Sequence, residues 1–136
     1  MVENESKNKN IGYWVATGLM CLVMAGGGAL DLLRVEQMVV TMENLGYPLY
    51  LLTLLGMLKW MGVLVIVAPR FGRLKEWAYA GFTFDLTGAT FSHMSVKDPF
   101  FDTITPLIVL TIVLTSWYLR PDSRKLESAI PVVDAE

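Results

Sequence analysis

The stretch from Thr53 to Pro69, TLLGMLKWMGVLVIVAP, is long and apolar enough to cross a bilayer, yet Lys59 lies near its centre. A charged side chain at mid-bilayer costs roughly 2.5 to 3.5 kcal/mol on insertion scales. Some other part of the chain has to offset that cost. The search for the compensating group organises the reading of the remaining sequence.

The 136 residues are 54% hydrophobic and 18% charged, and the charges are segregated from the apolar runs. A hydrocarbon core about 30 Å thick needs about 20 apolar residues per helix. Four stretches meet that length, at 11–33, 47–69, 76–94 and 99–119. They predict an all-α fold, a transmembrane four-helix bundle. The first stretch is too long for the core of a secretory signal, and no A-x-A site follows it. It is therefore expected to remain as a span. Polar tails at 1–10 and 121–136 flank the 11–120 membrane domain, and both are expected to lack stable structure.

Of the eleven Lys and Arg residues, Lys59 lies within a span. Lys7, Lys9, Arg70, Arg73, Lys75, Arg120, Arg124 and Lys125 fall on one side of the membrane; Arg34 and Lys97 fall on the other. The positive-inside rule then puts both termini in the cytoplasm of an inner-membrane, multi-pass protein. Between spans one and two, Val35, Met38, Val39 and Met42 recur at helical spacing, which predicts a short extracytoplasmic amphipathic helix over 35–45 with Gly46 as its cap. Asp98 before Pro99 reads as an N-cap followed by proline at the first position of span four. Pro106 inside that span predicts a kink or wide turn near 102–106.

The chain has one cysteine, Cys21, and one histidine, His93. An intramolecular disulfide, a Cys-ligated cluster and bis-His haem ligation are thereby excluded within one protomer. There is no zinc spacing, nucleotide-binding loop or nucleophile motif, so no metal, no intrinsic cofactor and no nucleic-acid partner is expected, and no catalytic set is assigned.

The best partner for Lys59 by depth is Asp85, in the middle of span three. Gly56 and Gly62 flank Lys59 on its own helix face, as Gly81 and Gly88 flank Asp85. Small residues at these positions would let the two helices approach closely. A Lys59–Asp85 pair can serve helix register alone or a functional site. A second polar group, Asp31, His93 and Asp102, is expected nearer an outer mouth, where His93 could bind a ligand or carry protons. The alternative for these three is helix-end residues satisfied by water and headgroups. Trp77, Trp117 and Tyr118 fit an interfacial aromatic belt, and Met20, Met24, Met57 and Met61 either pack or line a cavity.

Taken together, Leu45-Gly46-Tyr47-Pro48, the Gly56/Lys59/Gly62 face and the run from Glu76 to His93 give the chain its resemblance to the DoxX-like family of small bacterial membrane proteins. The similarity covers roughly residues 11–120. It implies a four-span bundle, in a wider group that includes the membrane subunit of an archaeal thiosulfate:quinone oxidoreductase. More distantly, the architecture is similar to eukaryotic four-span folds including a receptor-assembly chaperone. Three functions follow as expectations. The first is binding of a hydrophobic small molecule with a polar head, such as a quinone or lipid, by Lys59 and Asp85 with His93, Asp31 and Asp102 toward the mouth. The second is a structural or assembly subunit, with a partner protein or as a homo-oligomer. The third is a subunit of a quinone-linked oxidoreductase, for which a soluble partner would supply electrons.

Overall fold

A computed structural model describes residues 1–126. Five α-helices account for most of this part of the chain: α1 (Val2–Leu32), α2 (Glu36–Leu45), α3 (Tyr50–Val67), α4 (Gly72–Ser95) and α5 (Phe100–Tyr118). A short 3-10 turn follows at Asp122–Arg124. There is no strand among the described residues. Three helices, α1, α3 and α5, are long and apolar enough to cross a membrane. The fourth long helix, α4, carries Arg73, Lys75, Glu76 and Asp85 and is not among them.

The four long helices pack in a ring, α1 against α3 and α5, and α4 against the same two. Their shared core is Met20, Met24, Val63, Ile66, Tyr79, Phe82, Leu86 and Val113. Met20 and Met24 therefore pack inside, whereas Met57 and Met61 lie on the exterior of α3.

The helix expected at 35–45 is α2, which buries no residue. Gly46 ends it at φ 75°, with its N–H on the Glu43 carbonyl and the Tyr47 N–H on the Met42 carbonyl. That pattern requires a left-handed residue, which glycine adopts without steric cost. Tyr47 then ties the following turn to α4, its hydroxyl 2.8 Å from Ser92 Oγ.

Three expectations about order need correction. Residues expected to form a loose N-terminal tail belong to α1, which begins at Val2. At 31 residues α1 is about 46 Å long, more than a bilayer core needs, so polar residues can continue the helix beyond the apolar stretch. At the other terminus, residues 121–126 fold back onto the helices. Arg124 donates to the Ile66 carbonyl at 3.0 Å and covers the Trp14 ring at 4.6 Å. The tail beyond residue 126 lies outside the described residues. In α5, the helix continues through a buried Pro106 instead of opening into a wide turn. Asp98 is not its N-cap; Pro99 takes that position.

Close approach is concentrated between α1 and α3. A Cβ added at Gly56 would lie 2.7 Å from Leu32 Cγ and 2.8 Å from the Gly28 carbonyl oxygen. One added at Gly28 would meet the Gly56 carbonyl and the Lys59 Cβ, each at 3.1 Å. Gly62 meets the Phe82 ring of α4, while Gly81 and Gly88 have open space where a Cβ would stand. Gly56 thus brings α1 to Lys59, whereas Gly62 faces Phe82 and the glycines near Asp85 face open space.

Where α5 ends, the end of α3 is held by buried Lys75. Its ammonium donates to the carbonyls of Val65 at 2.6 Å, Ile66 at 3.0 Å and Ala68. These are carbonyls that a helix end leaves without intrahelical partners. Lys75 is read in the sequence only as one of the charges counted for topology; the structure makes it a buried helix-end cap.

Gly56→Ala should destabilise the protein by about 1 to 3 kcal/mol through overpacking against Leu32 and the Gly28 carbonyl. Gly88→Ala, in open space, should have no such effect. Unfolding of both variants in the same detergent checks the difference.

Candidate functional site

Lys59 is in the second half of α3, one turn beyond Gly56. Because Gly28 and Gly56 bring the α1 and α3 backbones together, the last turn of α1 places Asp31 beside the ammonium. Lys59 Nζ donates to Asp31 Oδ2 at 2.7 Å. Asp85 Oδ2, from α4, lies at 3.7 Å. The compensating group is therefore a pair of carboxylates, and the closer one is Asp31, not Asp85. Asp31 is also the most enclosed of the three, with its side chain 6% exposed against 18% for each of the others. Such burial favours a direct ion pair and makes loss of either partner costly.

Depth assignment from span centres fails here because the end of α1 packs beside the middle of α3. Its final residue, Leu32, packs level with Gly56, and the chain turns away at Arg34, where φ is 48°. Asp31 is near a helix end along the sequence, yet it lies beside the middle of α3. Arg34, three residues on, does not join the cluster; it donates to Thr53 Oγ1 at 3.0 Å.

A groove of about 380 Å³ runs between α3 and α4 and reaches this cluster. Its walls include Leu58, Met61, Val65, Leu74, Trp77 and Phe82. Lys59 and Asp85 supply its charged groups, and Gly81 leaves part of its α4 wall open. A mostly apolar cleft with a few polar groups has the character of a small-molecule site.

The remaining candidates are grouped separately. His93 Nδ1 lies 2.6 Å from Asp98 Oδ2, and the Asp98 N–H bonds to the His93 carbonyl. This double contact closes the α4–α5 turn. His93, Asp98 and Asp102 line a second groove of about 450 Å³ with the exposed face of α2, including Glu36 and Gln37. No residue lines both grooves. Lys59, Asp31 and Asp85 come together, while His93 and Asp102 belong to a different surface.

A polar network near the termini had no counterpart in the sequence reading. Ser116 Oγ is 2.7 Å from Thr17 Oγ1 and 2.8 Å from the Tyr79 hydroxyl, joining α1, α4 and α5. Arg120 caps this layer, 2.7 Å from Glu76 Oε1 and over the rings of Tyr79 and Trp117. Trp117 Nε1 donates to the other Glu76 oxygen at 3.0 Å. Trp117 thus has a protein partner beyond any interfacial role. The available signal was a hydroxyl in each of two apolar helices, Thr17 and Ser116.

The profile of the DoxX-like family matches residues 15–116. No curated protein and no solved structure matches the chain.

Lys59→Met should cost about 3 to 5 kcal/mol, because it leaves two enclosed carboxylates without their cation. Adding Asp31→Leu should restore more stability than adding Asp85→Leu, following the 2.7 Å and 3.7 Å separations. Unfolding midpoints of the single and double variants test that ranking. Equal rescue would mean that the two carboxylates are equivalent partners.

Proposed function

The chain belongs to the DoxX-like family, and from that premise we propose a four-span bundle of the bacterial inner membrane that binds a hydrophobic small molecule with a polar head, of the quinone or lipid class. The observation that carries this reading is the α3–α4 groove, apolar along its walls and ending at Lys59 and Asp85. A tail or ring system would occupy the apolar length, with its head beside the charged cluster. His93 and Asp102 would act at a separate outer surface under α2 and not at the mouth of the same pocket.

Membership of α4 in the membrane is supported by its outward face. Trp77, Phe84 and Phe91 recur every seven residues and are 75%, 77% and 71% exposed, a stripe suited to lipid. Arg73, Lys75 and Glu76 are confined to its first two turns, and Asp85 faces Lys59. The eight-to-two distribution of Lys and Arg supports cytoplasmic termini and an extracytoplasmic α2. A second reading, a structural or assembly subunit, is favoured by one observation: Lys59 already has a short contact with Asp31 in the protein alone.

Two measurements separate these readings. Mass spectrometry of lipids and quinones retained after gentle extraction should find a stoichiometric ligand in the wild type. Gly81→Leu, which fills the groove from a position with free space, should lose most of it with little change in melting temperature. Equal retention by both proteins would remove the groove as the binding site. For topology, Gln37→Cys in a Cys21→Ala background should react with an impermeant thiol reagent in intact cells, and Ser6→Cys should not. The opposite pattern would reverse the orientation.

A further inference from the structure

The charge balance at the end of the α3–α4 groove narrows the ligand class. Two carboxylates, Asp31 and Asp85, share the single ammonium of Lys59. Asp31 takes the short hydrogen bond at 2.7 Å. At 3.7 Å Asp85 is beyond hydrogen-bond distance, and among the described residues its carboxylate accepts no hydrogen bond. Among the described residues no second cation enters the cluster, and Arg34 is engaged with Thr53. With all three groups ionised, the site carries one uncompensated negative charge beside an apolar cleft. Two carboxylates on one ammonium are costly in such surroundings, and a ligand that supplies a second cation recovers that cost.

We infer that the groove takes a lipid-like amphiphile with a cationic, hydrogen-bond-donating head, a long-chain primary amine in its simplest form, and that Asp85 is the residue that recognises the head. This inference rests on the binding reading of the groove and adds the sign of the head's charge. A bound ammonium brings the site to two cations and two anions. Asp85 gains the donor it lacks, while Lys59 keeps Asp31. A carboxylate or phosphate head would add a second excess negative charge. A neutral alcohol or quinone would leave the first one in place. The apolar walls, with Trp77, Leu58 and Met61 among them, accept the chain.

The full-length protein in phosphatidylcholine nanodiscs provides the test, at neutral pH, with dodecylamine, dodecanol and dodecanoate as probes of equal chain length. Trp77, within the groove, allows binding to be followed by tryptophan fluorescence, with the melting temperature as a second readout. Dodecylamine should bind about tenfold or more tightly than the other two, the scale of one charge-assisted hydrogen bond. Asp85→Asn should bring the amine down to the level of the alcohol, and Gly81→Leu should weaken all three probes. Binding of dodecanol or dodecanoate as tight as that of the amine overturns the inference while leaving the groove as a binding site. An amine preference that survives in Asp85→Asn overturns the role of Asp85. No specific binding of any probe, judged against Gly81→Leu, overturns the groove reading along with the inference. Should Asp85→Asn fail to fold, the ranking of the three heads on the wild type still decides the sign of the charge.

Discussion

The ammonium of Lys59 is held in a largely apolar helix by a carboxylate that another helix must deliver. That requirement governs how α1 meets α3. Asp31 reaches Lys59 at 2.7 Å because Gly28 and Gly56 leave no side chain between the two backbones. A larger residue at either position would separate the helices and lengthen the ion pair. The packing constraint and the electrostatic one are therefore met by the same close contact. The α3–α4 interface is different in kind. There a phenyl ring, Phe82, covers Gly62, and Gly81 stands over open space. A tight seam on one side of α3 and a groove on the other follow from where the small residues face.

The two ends of the ring use different chemistry. Where α5 ends, Thr17, Ser116 and Tyr79 form one chain of hydrogen bonds, and Glu76 is shared by Arg120 and Trp117. Lys75 and Arg124 cap the end of α3. Hydrogen-bond networks of this kind fix the relative positions of helices, although the buried Tyr13 hydroxyl and Arg120 Nη1 in this layer are left without a partner. The half containing Lys59 holds a carboxylate, Asp85, that accepts no hydrogen bond from the described residues and has the Lys59 ammonium 3.7 Å away, next to an apolar cleft. The hydrogen-bonded layer and the groove thus lie at different levels along the helix axis.

Much of this was legible in the sequence. Lys59 within an apolar run required an acidic partner, and the periodicity of Val35, Met38, Val39 and Met42 with Gly46 marked α2 and its cap. The choice of partner was not legible. Depth along each span is a one-dimensional coordinate, and it paired two mid-span residues, Lys59 and Asp85. It could not register that α1 ends level with Gly56, which puts Asp31 beside Lys59. The same limit applies to glycine: Gly56 and Gly81 are alike in sequence, but one faces a backbone and the other faces space. His93 and Asp102 were grouped with Asp31 because all three lie near helix ends. The structure separates them because His93 is drawn into the α4–α5 turn by Asp98. The polar N-terminal tail was misread for a related reason, since composition does not reveal that a helix already nucleated by an apolar span can extend through polar residues.

The central claim is that Lys59 hydrogen-bonds Asp31 and holds Asp85, which faces the groove, only by the longer ion pair. Solid-state NMR in lipid bilayers tests it most directly, using Lys labelled with ¹⁵N at Nζ and Asp labelled with ¹³C at Cγ, with signals assigned through Asp31→Asn and Asp85→Asn. Dipolar coupling between Lys59 Nζ and Asp31 Cγ should be the stronger of the two, in keeping with Nζ–Oδ2 separations of 2.7 Å to Asp31 and 3.7 Å to Asp85. A stronger coupling to Asp85, or none to Asp31, would contradict the account.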